Sequence, residues 1–106
     1  MVEYTQGLNL IFFALSDATR RSILDLLAKT DLTISEIADN YKLTFAAISK
    51  HIKILEKANL VTKKREGKHQ IVTITPITLD IAKEHIERYS NNWTNRFDKL
   101  EEILKS

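Results

Sequence analysis

The first part of the chain places apolar residues with the period of an amphipathic α-helix. A first helix is predicted from four residues at the i, i+3, i+4 and i+7 positions of one helix face: Leu8, Ile11, Phe12 and Leu15. Asp17 can cap a second helix that runs through RRSILDLLAK. The buried stripe predicted for this second helix is Ile23, Leu26 and Leu27.

Two short helices separated by a tight turn are predicted next. Thr33 and Glu36 have the T-x-x-E spacing of a capping box, which predicts a third helix over ISEIADNY. Only two residues separate this segment from Thr44, which can cap a fourth helix over residues 45–58. Two short helices across a tight turn are typical of a helix-turn-helix.

A β-hairpin and a long helix are predicted in the second half of the chain. Asn59 lies where a helix end often adopts the left-handed conformation. The runs LVTKK and HQIVTIT flank REGK, which predicts a two-stranded hairpin with a basic tip over residues 60–75. Pro76 suits the start of a last helix that runs nearly to the C-terminus. The apolar stripe of this helix is Ala82, Ile86, Tyr89, Trp93, Phe97, Leu100 and Leu104.

Together these elements predict one domain over residues 1–106. The expected fold is mainly α with a small β-hairpin, a winged helix-turn-helix with about five helices and a two-stranded wing. No apolar run reaches 18 residues and no basic leader precedes a cleavable apolar segment, so we expect a cytoplasmic protein. The chain has no cysteine, which excludes disulfides, thiolate metal ligands and thiol redox chemistry.

The net charge of +2 is distributed unevenly along the chain. Residues 42–69 carry eight Lys and Arg against two Glu, a net charge of +6. The remainder carries eight Lys and Arg against twelve Asp and Glu, a net charge of −4. This division indicates one face that attracts a polyanion, and the alternative is an ordinary solvated charged face.

The fourth helix is predicted to have a buried face and an outward cationic face. When Ile48 is placed at the centre of the buried face, Ile52 and Leu55 fall within about 40° of it. The outward face then contains Ala46, Ser49, Lys50, Lys53 and Lys57. Such a face suits the major groove of DNA, where Ser49 and Lys50 can hydrogen-bond to base edges and Ala46 can contact a thymine methyl group.

The spacing of Ser49 and His51 raises the possibility of a nucleophile and its base. On a helix their directions differ by roughly 160°, so a catalytic pair is not expected. His51 is instead predicted to lie at the edge of the core. No spacing among Ser49, His51, His69 and His85 indicates a pocket of convergent titratable groups, and we predict that the protein is not an enzyme.

Three segments of the chain resemble the ArsR family of winged helix-turn-helix repressors: LSDATRRSILDLL, LTFAAISKHIKILEKANLV and REGKHQIVTIT. The resemblance covers almost the whole chain, with the segments in family order and at family spacing. It implies a bacterial or archaeal dimer in which the first and last helices form the interface. It also implies that Thr44 to Lys50 enter the DNA groove and that the wing around Lys64 to Lys68 contacts phosphate. Phe45 departs from the family pattern, in which a polar residue such as Gln often occupies this position.

The sequence pattern and the family resemblance together predict a sequence-specific, dimeric repressor that reads a palindromic operator through helix 45–58 and wing 60–75. The predicted DNA-binding residues are Thr33, Ser35, Thr44, Phe45, Ala46, Ser49, Lys50, Lys53, Lys63, Lys64, Arg65 and Lys68. The predicted dimer interface is Leu8, Ile11, Phe12, Leu15, Ile86, Tyr89, Trp93, Phe97, Leu100 and Leu104. Two alternatives stay open. The basic face could bind an acidic protein, and the apolar stripe of the last helix could fold back on its own core.

We expect no metal site and no cofactor. Metal-sensing members of the family carry cysteines at the start of the third helix, or Asp and His ligands in the last helices. The first of these segments reads LTISEIA here, and the Asp-x-His pattern ends at Asp80-x-Ala82. A solvated charged face is the expected role of Asp80, Glu84, His85 and Glu87. The operator and any inducer or partner protein are left open.

Overall fold

The computed structural model describes the backbone of residues 2–105 and the side chains of residues 7–105. Within this range the helices are α1 (Val2–Leu15), α2 (Ala18–Leu27), α3 (Ile34–Tyr41), α4 (Phe45–Lys57) and α5 (Pro76–Lys105). The strands are β1 (Leu32–Thr33), β2 (Val61–Glu66) and β3 (His69–Ile74). The prediction of a mainly helical winged helix-turn-helix with about five helices is confirmed.

The antiparallel sheet has three strands in the order β1, β3, β2, so the prediction of a two-stranded wing was incomplete. β1 pairs Leu32 with Val72 and Thr33 with Ile71. Two residues are too few to show the alternation that identifies a strand in a sequence. The short strand joins the wing to the helix-turn-helix, because Thr33 is also the N-cap of α3.

The turn of the wing is tighter than the predicted REGK connection. Arg65 and Glu66 belong to β2, where they pair with Gln70 and His69, so only two residues connect the strands. Gly67 has φ 60°, a left-handed conformation that glycine adopts without a Cβ penalty. The extra pairs lengthen the wing and fix which side of the sheet each basic residue occupies.

The helix boundaries agree with the predicted caps. The Asp17 carboxylate and the Thr44 hydroxyl each accept a hydrogen bond from the backbone N–H three residues later, at 3.0 Å and 3.1 Å. Asn59 has φ 58°, the left-handed conformation predicted after α4. Lys42, at the end of α3, is also left-handed with φ 53°, although no glycine or asparagine in the sequence indicated it.

One hydrophobic core joins the helices to the sheet. Its fully buried large side chains are Ile23, Ile37, Ile48, Ile52, Leu55, Leu60, Val61 and Val72. In α2 the buried face contains Leu24, whereas the predicted Leu26 is only half-buried. The buried face follows the spacing i, i+3, i+4, i+7 from Arg20. Because a charged residue is not expected in a buried stripe, the sequence pattern did not identify Arg20 as the start of this face.

The Arg20 guanidinium links α1, α2 and α4. Its side chain is only 6% exposed, and it donates hydrogen bonds to the carbonyl oxygens of Ala14 at 2.8 Å and Phe13 at 3.1 Å. Its Nη1 lies 3.3 Å from Nδ1 of His51 on α4. His51 is half-buried, so its predicted position at the edge of the core is confirmed.

In α1 the residues of the predicted stripe differ in exposure. Ile11 is 5% exposed and packs into the core, so little of its side chain is left for the predicted dimer interface. Leu8 and Leu15 are half-buried, whereas Phe12 and Phe13 are exposed. The packing of Ile11 and Ala14 against the core turns the phenyl groups outward.

Most of α5 projects away from the core. The helix has 30 residues and is about 45 Å long, but its buried residues are only Thr78, Ala82 and His85. Residues 86–105 are exposed, and the radius of gyration is 18.3 Å against about 13 Å for a compact chain of about 100 residues. The predicted apolar stripe therefore does not fold back on its own core beyond Ala82. No helix in residues 2–105 has the length and apolar character needed to cross a bilayer.

The buried face of α4 can be tested by a pair of neighbouring substitutions. We expect Ile52→Ala to lower the free energy of unfolding by about 2–5 kcal/mol, because it leaves a cavity in the core. The adjacent Lys53 is exposed, and Lys53→Ala should change the free energy of unfolding by less than about 0.5 kcal/mol. Urea denaturation followed by circular dichroism, at equal protein concentrations, measures both. Similar losses for the two variants would contradict the assigned helix face.

Candidate nucleic-acid interface

The outward face of α4 has the composition predicted from the helical wheel. Ile48, Ile52 and Leu55 are fully buried on the opposite face. Of the residues predicted on the outward face, Ala46, Lys50, Lys53 and Lys57 are exposed and Ser49 is half-buried. Thr44 and Phe45, at the N-terminal end of the helix, are exposed as well. The N-terminal end of α4 is therefore exposed to solvent, and its cations follow farther along the helix.

The start of α3 is held by the predicted capping box. The Thr33 hydroxyl accepts a hydrogen bond from the backbone N–H of Glu36 at 3.1 Å, and the Glu36 carboxylate accepts one from the backbone N–H of Thr33 at 2.9 Å. The hydrogen bond from the backbone N–H of Thr33 is the main cause that holds the pKa of the Glu36 carboxyl below its usual range, and the hydrogen bond with the Thr33 side chain lowers this pKa further. This rigid helix start positions Ser35, which is exposed beside it.

A cleft of about 260 Å³ lies between the N-terminal ends of α3 and α4 and the tip of the wing. It brings together five of the predicted DNA-binding residues: Thr33, Ser35, Phe45, Arg65 and Lys68. His69 and Gln70 also line this cleft but were not predicted as site residues. The strand register could have identified them, because Glu66 and Arg65 pair with these two residues across the turn. The cleft is an anion-binding environment because it is lined by two cations and several hydrogen-bond donors.

Lys64 does not join this cleft. Side chains alternate along β2, so Lys64 and its neighbour Arg65 lie on opposite faces of the wing. Lys64 borders a separate depression that also contains three carboxylates, those of Asp31, Glu36 and Glu66. The predicted run of wing cations is therefore divided between two environments, and only one of them is predominantly basic.

Lys63 connects the wing to α4. Its ammonium group lies 3.4 Å from the carboxylate of Glu56, and both side chains are partly exposed. Such a pair contributes little stability in water, about 0–1 kcal/mol. It does reduce the positive charge that Lys63 offers to a phosphate, so Lys63 is a weaker candidate contact than Arg65 or Lys68.

His51 contacts Arg20 of α2 and the N-cap residue Asp17, and it does not face Ser49. The Nδ1 atom of His51 lies 3.9 Å from the Asp17 carboxylate, in addition to its contact with Arg20. The hydrogen bond from the backbone N–H of Arg20 is the main cause of a lowered pKa at Asp17, and the charge of Arg20 lowers it further. This ring orientation agrees with the wide angular separation predicted between Ser49 and His51.

The charged residues of α5 do not form the uniform solvated face that was expected. Asp80, Glu84 and Glu87 are exposed, and Glu87 pairs with Lys83 at 3.8 Å. His85 is 5% exposed, so its assignment to that face was wrong: it shares the buried side of α5 with Thr78 and Ala82. In the part of the chain that the structure describes, no three His, Asp or Glu side chains are grouped so that they could hold a metal ion.

Comparison with known proteins associates this geometry with transcription regulation. The family described as "Bacterial regulatory protein, arsR family" matches residues 17–63, which contain α2, α3 and α4. The chain is 42% identical over 60 residues to the "Transcriptional repressor SdpR" of Bacillus subtilis strain 168. That similarity covers 57% of this chain and 67% of the relative.

Solved structures share the fold over a larger part of the chain. An "ArsR-like Transcriptional Regulator from Rhodococcus sp. RHA1" superposes with a TM-score of 0.83 and 28% identity, and the match covers 95% of each chain. The homodimeric winged helix-turn-helix DNA-binding domain of Mb0332 from Mycobacterium bovis superposes with a TM-score of 0.67 and 25% identity. That match covers 82% of this chain and 88% of the other. The similarity to the Rhodococcus protein thus extends beyond the helix-turn-helix into the wing and the terminal helices.

The capping box of α3 should make stability depend on pH. Because the pKa of Glu36 is lowered in the folded state, its ionised carboxylate stabilises the fold above the ordinary pKa of a glutamate. This stabilisation should be lost as the pH falls through the lowered pKa of the folded state. Glu36→Gln cannot ionise, so we expect the stability difference between wild type and variant to shrink on acidification. Urea denaturation of both proteins from neutral to acidic pH measures this, and a constant difference would contradict it.

Proposed function

Because this chain belongs to the ArsR family of DNA-binding bacterial regulators, we propose that it is a homodimeric repressor that reads a palindromic operator. The chain is a transcription regulator with a winged helix-turn-helix, and not an enzyme. The observation that carries the proposal is the exposed N-terminal end of α4, which lies beside a cleft lined by Arg65 and Lys68.

In the proposed complex α4 enters the major groove with its N-terminal end first. Ser49 and Lys50 face outward from α4, where a hydroxyl and an ammonium group can hydrogen-bond to base edges. Arg65 and Lys68 contact the phosphates of the strand that runs between α4 and the wing. This division of roles assigns specificity to the helix and most of the electrostatic affinity to the wing.

The exposed apolar faces of α1 and α5 support a homodimer. In the part of α5 beyond the core, the large apolar side chains of one stripe follow spacings of three and four residues, and all are exposed: Ile86, Tyr89, Trp93, Phe97, Leu100 and Leu104. A solitary helical segment with this surface is marginally stable in water and leaves a large apolar patch. A second copy related by a two-fold axis presents the same patch in return. The Mycobacterium bovis domain with the same fold is described as homodimeric.

Repression follows from the geometry of such a dimer on DNA. Two copies of α4 spaced by about 34 Å would occupy successive major grooves on one side of a palindrome. A dimer bound in this way at a promoter would block the binding of RNA polymerase. The relative in Bacillus subtilis is named a transcriptional repressor. Footprinting on the protein's own promoter, combined with transcription in the presence and absence of the protein, tests the repressor role.

The separate roles of α4 and the wing predict two different mutant phenotypes. Lys50→Ala should lower the preference for the selected operator over random duplex by about 1–3 kcal/mol, because it removes a base contact. Arg65→Ala should weaken binding to both duplexes equally, and reduce the slope of log affinity against log salt concentration by about 1, because it removes a phosphate contact. Titration of labelled duplexes at several salt concentrations measures both effects.

Lys64→Ala is the matched control for Arg65→Ala. It removes one positive charge from the adjacent residue of β2, but from the side of the wing that carries the three carboxylates. We expect it to leave the salt dependence nearly at the wild-type value. An unchanged specificity in Lys50→Ala, or equal effects of the two wing variants, would contradict the proposed orientation on DNA.

The proposed dimer predicts that one charge on the α5 stripe separates the subunits. Phe97→Glu should cost several kcal/mol of association free energy, because an unpaired carboxylate would be buried in the interface. Asn95→Glu adds the same charge on the opposite side of the helix and should remain dimeric. Sedimentation velocity measures the assembly state, and circular dichroism verifies the helical content. Wild-type protein that sediments as a monomer at micromolar concentration would refute the dimer.

A further inference from the structure

The first turn of α4 offers almost no side-chain hydrogen bond to a base. It consists of Phe45, Ala46 and Ala47, and the hydroxyl of the preceding Thr44 accepts a hydrogen bond from the backbone N–H of Ala47 at 3.1 Å. Phe45 is 55% exposed although it is a large apolar residue. In the proposed complex the part of α4 that enters the groove first is therefore a phenyl ring followed by two methyl groups.

Phe45 lies among DNA-binding groups and outside the hydrophobic core. It does not belong to the core cluster or to the residues packed on it. Instead it lines, together with Ile34, the cleft that also contains Ser35, Arg65 and Lys68. Phosphates held by these polar side chains would bring the ring next to the bases of the same strand. The ring has no structural role in the core, and a contact with DNA would account for its exposure.

Base chemistry determines what such a ring can recognise. In the major groove guanine, adenine and cytosine present hydrogen-bond donors and acceptors, and thymine alone adds a methyl group. A phenyl ring over a polar edge displaces water from groups that it cannot hydrogen-bond, which is unfavourable. Over a thymine methyl group the same ring buries apolar surface, which is favourable. Among the four bases, only thymine matches the ring.

We infer that Phe45 is a specificity-determining residue that reads the 5-methyl group of one thymine in each operator half-site. The inference rests on the proposed DNA-binding function and adds a sequence requirement to it. Ala46 assists because its small side chain allows the ring to approach the groove floor. The hydrogen-bonding residues Ser49 and Lys50 lie one turn farther along α4, so they read neighbouring base pairs and not the same one.

Removal of single methyl groups from the DNA tests the inference. The bound half-site is first obtained by selection from a random duplex pool, and each thymine is then replaced individually by deoxyuridine, which lacks only the methyl group. We expect one position per half-site at which the affinity of the wild-type protein falls about fourfold. A loss of this size corresponds to the burial of one methyl group. Replacement at thymines outside this position should have a smaller effect.

Two protein variants connect the methyl group to the ring. Phe45→Ala should bind the thymine duplex more weakly than the wild type, and should bind the thymine and deoxyuridine duplexes equally well. Arg65→Ala is the matched control: it should bind both duplexes more weakly, and it should keep the fourfold ratio between them because Ser35 and Lys68 still hold the phosphate beside the ring. Because the Phe45 side chain is exposed, circular dichroism should show an unchanged fold in Phe45→Ala.

The results distinguish failure of this inference from failure of the proposed function. The wild type could bind DNA sequence-selectively while no deoxyuridine replacement changes its affinity. This result would overturn methyl recognition and leave the proposed function intact. A Phe45→Ala variant that keeps the wild-type ratio would also overturn it, because the ring would then contact only the DNA backbone. A wild-type protein without sequence-selective binding to any duplex in the pool would overturn the proposed function, and this inference with it.

Discussion

The packing of α4 against the core is the constraint on which the DNA-facing surface depends. Ile48, Ile52 and Leu55 are fully buried, so the helix cannot rotate about its axis without exposing one of them. Each residue on a helix is displaced by 100° from the last, and the buried stripe therefore determines which side chains point outward. The guanidinium of Arg20 adds a polar link to the same helix through His51, and it is itself held by two carbonyl groups at the end of α1. The orientation of α4 is thus coupled to the helix whose exposed face the proposed dimer buries.

The basic side of the wing depends on the alternation of side chains along its strands, in addition to the number of Lys and Arg residues. β2 contains Lys63, Lys64 and Arg65 in succession, but alternation places Lys64 apart from the other two. Lys63 is turned toward α4, where it meets Glu56, and Lys64 lies near carboxylates. The positive charge that the wing offers to a ligand is therefore smaller than its sequence indicates, and it is concentrated beside Phe45. In the proposed complex this concentration would hold the aromatic ring close to the bases.

The terminal helices show the opposite arrangement, a large apolar surface that the single chain leaves uncovered. α5 contributes few residues to the core, and the rings of Trp93 and Phe97 stack on each other with centroids 5.5 Å apart in an exposed part of the helix. This local contact covers only a small part of the stripe. The core around α4 is complete, whereas α1 and α5 leave apolar surface uncovered. In the proposed function these two parts correspond to DNA reading and to association of the subunits.

The sequence by itself determined the helices, their caps and the outward face of α4. Capping by Asp17, Thr33 and Thr44 and the left-handed Asn59 involve residues within one helical turn, so a local pattern contains the necessary information. The helical period is equally local, and it was sufficient to separate the buried residues of α4 from the exposed ones.

Only the tertiary structure decided the features that depend on contacts between distant segments. β1 is a strand because β3 passes beside it, and Arg20 is buried because carbonyl groups of α1 and the ring of His51 satisfy its donors. His85 is buried, although it lies among charged residues in the sequence. The division of the wing cations and the cleft around Phe45 likewise follow from strand register and helix packing. Most of these contacts join residues far apart in the chain, and the free energy of all of them depends on burial and partner geometry, which no local pattern specifies.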